Sequence, residues 1–216
     1  MKKLSVWGYS YQSLDELEER KIPIVSLGTV GISEQFNLKK THPDFDFPWV
    51  SIWKEKPIQP MPDKVFICLK KVKSVNFDFL TYAGDFYILS EKLLDFLRKH
   101  GFDYQFDMSR AIIVNTKGEP LTDQTYYLMR VITWEIQDEI IYTYPEKNSE
   151  DDEYQFALSA YTNLEKDILL STNFKYFEAF MVTENIKEEI LKNFDTPFLY
   201  SLEEWKEQNN YDSYWD

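Results

Sequence analysis

Apolar and polar residues along this chain form blocks that predict short strands followed by capped helices. In FYILSEKLLDFLRKHGF, Phe86 to Phe102, an apolar run precedes Ser90, whose hydroxyl can bind free backbone N–H groups at a helix start. Basic side chains then lie in the last turn, and Gly101 can adopt the left-handed conformation that ends a helix. The block therefore predicts a strand, an N-cap, a helix and a glycine stop.

The same order recurs in FMVTENIKEEILKNF, Phe180 to Phe194, with Thr183 at the N-cap position. The apolar spacing of this block predicts an inward-facing helical stripe formed by Ile186, Ile190, Leu191 and Phe194. A weaker version follows in FLYSLEEW, where Ser201 and Glu204 have the spacing of a capping box. Because a strand leading into a capped helix is a common unit, the recurrence does not by itself indicate a duplication.

The remaining elements are mostly strands with intervening turns. Lys64 to Lys70 predicts a strand, and Asn173 to Val182 a second one. Ala111 to Leu121 and Thr125 to Ile136 predict the two sides of a hairpin. Ser13 to Lys21 predicts a short helix, whereas ALSAYTNLEKDILL is compatible with either helix or strand. This interspersed order predicts an α+β fold, with a mostly antiparallel or mixed sheet braced by a few short helices.

The sequence divides by composition near residue 80. Residues 1–80 are rich in aromatic residues and proline, and Thr41 to Pro62 contains five prolines, which disfavour long regular elements. We expect residues 1–80 either to pack into the same domain as the rest of the chain or to form a separate region. Residues 81–216 carry the strand-cap-helix units and are predicted to form the main α+β domain.

Composition is that of a protein with a large core. The chain has 216 residues, six glycines and a single cysteine, Cys68, which lies in the apolar run VFICL and predicts a buried thiol. One cysteine cannot form an internal disulfide, as expected for a reducing compartment. No stretch has the length of a membrane span or of a signal-peptide core, so a cytoplasmic location is predicted.

The net charge of −13 is confined to two segments. Residues 135–153 contain eight acids and one lysine, and residues 184–216 contain nine acids and three lysines, whereas the remaining residues are balanced. Nucleic-acid binding is disfavoured, because it requires a clustered basic surface. Acidic segments can steer a basic protein partner, or they can simply be solvated loops.

Motifs for catalysis or cofactor binding are weak. His42 and His100 have no further histidine or cysteine at zinc-ligand spacing, and the glycines of SLGTVG match no phosphate-binding motif. No GxSxG elbow occurs, and Cys68 is poorly placed for a nucleophile. We therefore predict no metal, no cofactor and no catalytic residue, and regard the chain as a binding protein.

Two other classes of function stay open. Asp44 and Asp46 lie near Trp49 and Trp53, and paired carboxylates beside aromatic rings could serve a carbohydrate-active enzyme. The acidic segments could also belong to an adaptor with some other cellular partner.

The ordered motifs carry a resemblance to a known group. FYILSEKLLDFLRKHGFDYQF, NTKGEPL, TYYLMRVITWEI, an acidic gap and FEAFMVTENIKEEILKNF together resemble the bacterial polymorphic-toxin immunity proteins of the families numbered eleven and forty-three. The resemblance covers about Phe86 to Tyr200. It implies a cytoplasmic antidote that binds and blocks a cognate toxin domain without catalysis, and it implies neither the toxin's identity nor the oligomeric state.

Acidic and aromatic residues in the two charged segments are the predicted toxin-binding residues. Acids would steer a basic toxin such as a nuclease, and tyrosine or tryptophan would anchor it. The C-terminal aromatics could equally belong to a frayed or locally packed tail. The predicted contact residues are Asp138, Glu139, Tyr142, Tyr144, Glu150, Asp151, Asp152, Glu153, Tyr211, Asp212, Tyr214 and Trp215.

Overall fold

The computed structural model confirms an α+β protein and groups the chain into two compact units. Unit 1 comprises Met1–Glu16, Leu97–Asp103 and Ile136–Asp216, and unit 2 comprises Leu17–Phe96 and Tyr104–Glu135. The structure describes residues 1–10, 17, 30–36, 59–82, 86–131, 139–145, 156–173, 175–176 and 179–209. The predicted division of the sequence at residue 80 stays a prediction.

Unit 1 contains a six-stranded sheet in which every described strand pair is antiparallel. Its order is β10-β11-β1-β9-β8, and β12 also pairs with β1. The bounds are β1 Lys2–Gly8, β8 Ile141–Thr143, β9 Ser159–Thr162, β10 Ile168–Leu170, β11 Phe180–Thr183 and β12 Phe198–Tyr200.

The core of unit 1 forms around strand β1. Leu4, Val6 and Trp7 are fully buried, and the Trp7 ring lies 5.8 Å from Phe180 and 5.4 Å from Phe194 between ring centroids. The Trp7 indole N–H donates to the Pro197 carbonyl over 2.9 Å, which satisfies its buried polar atom. This packing fixes the segment before β12, where the peptide bond between Thr196 and Pro197 is cis.

Unit 2 contains the second sheet, in the order β2-β3-β6-β7-β5-β4. Strands β3 and β6 are parallel and the other neighbours are antiparallel, so this sheet is mixed. The predicted hairpin is confirmed by the antiparallel pair of β6 and β7. The bounds are β2 Val30–Ser33, β3 Lys64–Leu69, β4 Phe79–Tyr82, β5 Phe86–Ser90, β6 Phe106–Val114 and β7 Tyr126–Val131.

Cys68 lies buried on β3, as its apolar neighbours predict. Burial raises the pKa of its thiol, although the nearby Lys70 ammonium acts in the opposite direction. A thiol with a raised pKa is a poor nucleophile at neutral pH.

Helix α1, Glu91–Lys99, has both predicted ends. The Ser90 hydroxyl oxygen accepts the Leu93 backbone N–H over 3.1 Å and donates to the Asp78 carboxylate over 2.5 Å. At the other end Gly101 has φ of +83°, and the Phe102 N–H donates to the Leu97 carbonyl over 3.0 Å. This is the Schellman geometry that the glycine predicts.

The prediction that the Thr183 side chain caps the second helix is wrong. The Thr183 side chain makes no capping bond to the 3₁₀ turn Glu184–Ile186 or to helix α2, Lys187–Asn193. Its hydroxyl instead donates to the Asp167 carboxylate over 2.6 Å. The Thr183 hydroxyl therefore links the end of strand β11 to the residue that precedes strand β10, a tertiary contact that the local spacing does not show.

The predicted stripe on α2 is correct for three positions and wrong for Leu191. Ile186, Ile190 and Phe194 are buried, whereas the Leu191 side chain is 66% exposed.

The third predicted unit, the capping box of Ser201 and Glu204, is confirmed. In helix α3, Leu202–Gln208, Ser201 accepts the Glu204 N–H, and the Glu204 carboxylate accepts the Ser201 N–H over 2.7 Å. Among the described residues, no helix has the length and apolar character needed to cross a membrane.

Other predicted elements need correction or lie outside the described residues. Of the described residues in the strand predicted over Asn173 to Val182, Lys175 and Tyr176 lie in a turn, and strand β11 begins at Phe180. The ambiguous ALSAYTNLEKDILL segment forms β9 and β10. Leu17 is helical and buried, while the rest of the helix predicted over 13–21 lies outside the described residues, as do residues 41–58 of the proline-rich stretch.

Candidate functional site

Three of the twelve predicted contact residues belong to the described part of the chain. These are Glu139, Tyr142 and Tyr144, which lie in unit 1 on or beside strand β8. The other nine lie outside the described residues: Asp138, Glu150, Asp151, Asp152, Glu153, Tyr211, Asp212, Tyr214 and Trp215.

Tyr142 is partly buried and packs mainly against other residues of unit 1. Strand geometry directs alternate side chains to opposite faces, and Tyr142 is half-buried between the exposed Ile141 and Thr143. Its ring stacks on Tyr176 with centroids 5.5 Å apart and planes 9° apart. Its hydroxyl hydrogen-bonds the Ser171 hydroxyl over 2.6 Å. Tyr142 therefore braces the strand from the core side.

Tyr144 is the more accessible of the two tyrosines. Its side chain is 44% exposed, and its hydroxyl accepts the Asn173 side-chain amide over 2.9 Å. Leu158 lies across from it, because the Leu158 backbone N–H donates to the Thr143 carbonyl over 2.8 Å. Leu158 is 59% exposed and Ile141 is 47% exposed. Tyr144 directly follows strand β8, the last strand of its described sheet, and Leu158 directly precedes β9, so these two exposed side chains lie at the ends of the acidic stretch. Ile141 lies on β8 itself and faces the opposite side from Tyr142, whose ring lies 6.1 Å from that of Tyr144.

Glu139 is held by local partners. Its carboxylate lies 2.7 Å from the Lys166 ammonium, which also lies 3.0 Å from the Asp103 carboxylate. Burial lowers the pKa of Lys166, but hydrogen bonds and charges from Glu139 and Asp103 outweigh burial and raise it. The sequence gives no sign of this arrangement, because the three residues are far apart along the chain. Glu139 is therefore a poorer candidate for steering a partner than its neighbours in the sequence.

The acidic segment near the C-terminus also contains locally paired acids. Glu189 lies 2.5 Å from the Lys99 ammonium and 3.3 Å from the His100 ring, and the bond to Lys99 is the main cause of the lowered pKa of Glu189. Glu184 pairs with Lys187 over 2.8 Å. Glu188, Asp195, Glu203 and Glu207 are exposed and form no ion pair with the described residues.

Helix α2 carries an exposed apolar residue, Leu191, that lines a pocket together with residues of strand β12. The helical spacing predicts a core position for Leu191, whereas its side chain is exposed beside these acids. No sequence signal separates Leu191 from its neighbour Ile190, because adjacent apolar residues of a helix can both be buried, as Leu93 and Leu94 are on α1. Within the described ranges, no group of three or more His, Cys, Asp or Glu side chains is arranged to hold a metal ion.

Comparison with known protein families assigns the chain to the immunity proteins of polymorphic-toxin systems. The model of the family described as Immunity protein 43 matches residues 18–216. The chain belongs to this family, and it is accordingly an immunity protein directed against a toxin. Immunity proteins of this kind are generally non-enzymatic. A search of curated proteins found no match.

The family match also corrects the extent of the resemblance. The sequence motifs place it between Phe86 and Tyr200, whereas the match begins at residue 18 and continues to residue 216. Most of the proline-rich N-terminal region and the acidic C-terminal segment therefore belong to the family pattern.

Proposed function

We propose that this immunity protein neutralises its toxin in the cytoplasm by direct binding, and that the bound toxin domain is basic, as a nuclease would be. The observation that carries the proposal is the family match over residues 18–216. The basic character of the partner is supported by charge, since all of the net −13 lies in residues 135–153 and 184–216. No catalytic step, nucleic acid, membrane or cofactor is part of the proposal.

Neutralisation requires an interface that forms quickly and then dissociates slowly. Clustered acids raise the rate of encounter with a basic partner through long-range attraction, whereas residence time depends on desolvated anchors such as tyrosine, tryptophan and arginine. Tyr144 and Leu158, at the ends of the paired strands β8 and β9, offer exposed apolar area on the two sides of the 146–153 acids in the chain. We assign the anchoring role to this strand edge and the C-terminal aromatics, and the steering role to the neighbouring acids.

Co-expression tests the proposal directly. The C-terminal domain of a candidate toxin, chosen as a toxin-like gene product encoded next to this chain, is expressed from an inducible promoter, with or without this chain. We expect growth to be restored only when the intact chain is present. A toxin domain from an unrelated system serves as the specificity control and should not be neutralised.

A catalytically inactive version of the same toxin domain provides the binding measurement. We expect a complex by size-exclusion chromatography and an affinity that falls steeply between low and high salt. Absence of both growth rescue and complex would overturn the proposed function for that pair. A stable complex with an acidic toxin domain and little salt dependence would overturn the charge assignment alone.

A further inference from the structure

A pocket of about 470 Å³ opens between helices α2 and α3 in unit 1. Strand β12 forms its floor with Phe198 and Leu199, and α2 forms one wall with Leu191 and Phe194. The volume lies in the range of sites that receive a small ligand or a few side chains of a partner.

Leu191 gives the pocket an accessible apolar wall. A single exposed leucine on a protein surface needs no explanation, but this leucine borders a concavity that also contains the half-buried Phe198 and Leu199. Ile190 and Phe194 of the same helix are buried, so α2 is anchored while Leu191 stays available. The wall therefore offers apolar contact to an inserted side chain without repacking the core.

The pocket is formed before any partner binds. Its floor pairs with β1 in the register Val6 with Tyr200, Trp7 with Leu199 and Gly8 with Phe198. Gln208, which lines the α3 wall, accepts a hydrogen bond of 2.6 Å from the Ser10 hydroxyl. A preformed site avoids much of the ordering cost of association.

The charged residues that line the pocket, Asp195 and Glu204, are both acidic. Asp195 is exposed and forms no ion pair with the described residues. Glu204 accepts the Ser201 backbone N–H, and this bond is the largest cause of the lowered pKa of Glu204, so its carboxylate is ionised at neutral pH. Residues 184–209 contain seven acids and three lysines, so the surroundings are also negative. The lowered pKa of Glu204 does not suit a catalytic acid, which would need a raised value.

Building on the proposed function, we infer that this pocket receives an arginine side chain from the toxin domain. The methylene stem would lie against Leu191, the guanidinium would stack near Phe198, and Asp195 would accept its hydrogen bonds. Arginine suits the site because its planar cation combines aromatic stacking with paired bonds to a carboxylate. Arginine is also enriched at the residues that dominate binding energy in interfaces.

Charge reversal at Asp195 tests the inference. The full chain, wild type or Asp195→Arg, binds the inactive toxin domain in a kinetic assay, with Glu207→Arg as the matched control. Glu207 is exposed on α3 but does not line the pocket, and both substitutions change the net charge equally. We expect Asp195→Arg to raise Kd at least tenfold, mainly through faster dissociation, and Glu207→Arg to raise it less than threefold, through slower association.

A second variant tests the apolar wall. Leu191→Ala removes a side chain that is mostly exposed, so the fold is retained, and we expect dissociation to become severalfold faster. An arginine-to-aspartate exchange on the toxin that restores binding to Asp195→Arg would identify the inserted residue.

The outcomes separate the two proposals. If the wild-type chain fails to bind the toxin domain, the proposed function fails. If it binds and the Asp195→Arg and Glu207→Arg variants behave alike, the toxin does not use the pocket, and only the arginine inference is overturned.

Discussion

The two consecutive tyrosines of strand β7 differ in what their hydroxyl groups bind. The Tyr126 hydroxyl is buried, donates to the Phe77 carbonyl over 2.6 Å and accepts the Phe77 N–H over 3.3 Å. Burial raises the pKa of Tyr126 to about 12. The Tyr127 hydroxyl donates to the Glu91 carboxylate over 3.2 Å at the surface. The Tyr126 hydroxyl thus satisfies buried backbone groups, whereas the Tyr127 hydroxyl makes an exposed hydrogen bond.

We expect Tyr126→Phe to lower the free energy of unfolding by about 1–3 kcal/mol, because two backbone groups of Phe77 lose a buried partner. Tyr127→Phe is the matched control, and its cost should stay within about 0.5 kcal/mol because solvent replaces its bond. Urea unfolding monitored by tryptophan fluorescence measures both. Equal losses would show that burial of the hydroxyl does not decide its contribution.

At the scale of elements, the end of helix α1 depends on one glycine. Helix α1 ends at Gly101, whose φ of +83° is strained for residues with a Cβ. A Cβ built there would lie 2.9 Å from the Lys166 Cβ, closer than real Cβ contacts. Both the backbone conformation and the neighbouring chain therefore require glycine.

Gly101→Ala should cost at least about 1–2 kcal/mol in unfolding free energy, from the left-handed conformation alone. Asp95→Ala, an exposed substitution inside the same helix, controls for the change to alanine and should be close to neutral. Chemical denaturation of the two variants at pH 7 provides the measurement. A neutral Gly101→Ala variant would mean that the helix can end differently.

Helix α3 should contribute a pH-dependent part of the stability. Since the folded-state pKa of Glu204 is lowered, its stabilisation is present above the unfolded value and is lost as the pH falls through the folded value, below the ordinary 4.5. Glu204→Gln keeps the capping geometry but cannot titrate. We therefore expect this variant to lose less unfolding free energy than wild type between pH 5 and 3.

Unfolding free energies measured across that pH range check the prediction. Glu203→Gln in the same turn controls for the removal of one negative charge. Identical pH profiles for wild type and Glu204→Gln would show that this capping box does not carry the acid sensitivity.

At the scale of the whole molecule, the distribution of charge is the property that a toxin senses first. The acids at 150–153 lie in the sequence segment with the highest charge density. Replacing Asp151, Asp152 and Glu153 by lysine should slow association with the toxin domain by at least tenfold and reduce its salt dependence. Dissociation should change little, because steering acts on encounter.

Reversal of Asp63, Asp95 and Asp123 is the matched control. These three exposed acids lie outside the two acidic segments, and their reversal changes the net charge by the same amount. Stopped-flow association at several ionic strengths compares the two variants. Equal rates would show that net charge, and not the 146–153 segment, steers the toxin.

Features that depend on residues close in the chain could be predicted from the sequence. The Ser90 cap, the Gly101 stop and the capping box of Ser201 and Glu204 each need only groups within five residues. The β6–β7 hairpin needs one turn and two apolar strands. The α+β class and the family resemblance follow from these units in their order.

Features that depend on distant residues could not be predicted. Thr183 binds Asp167 and not the helix end, and Glu139 is held by Lys166, since folding brings these groups into contact. Leu191 has the spacing of a core residue but faces a pocket, because β12 and α3 leave that side of α2 open.

The sequence by itself therefore determined most of the elements, the caps at Ser90 and Ser201, and the concentration of acid in two segments. The tertiary structure decided which acids are neutralised by local partners and which apolar side chains stay accessible. The physical reason is the distance along the chain between the interacting groups. A cap is formed by groups within about one helical turn, whereas burial and ion pairing depend on which strands and helices lie side by side.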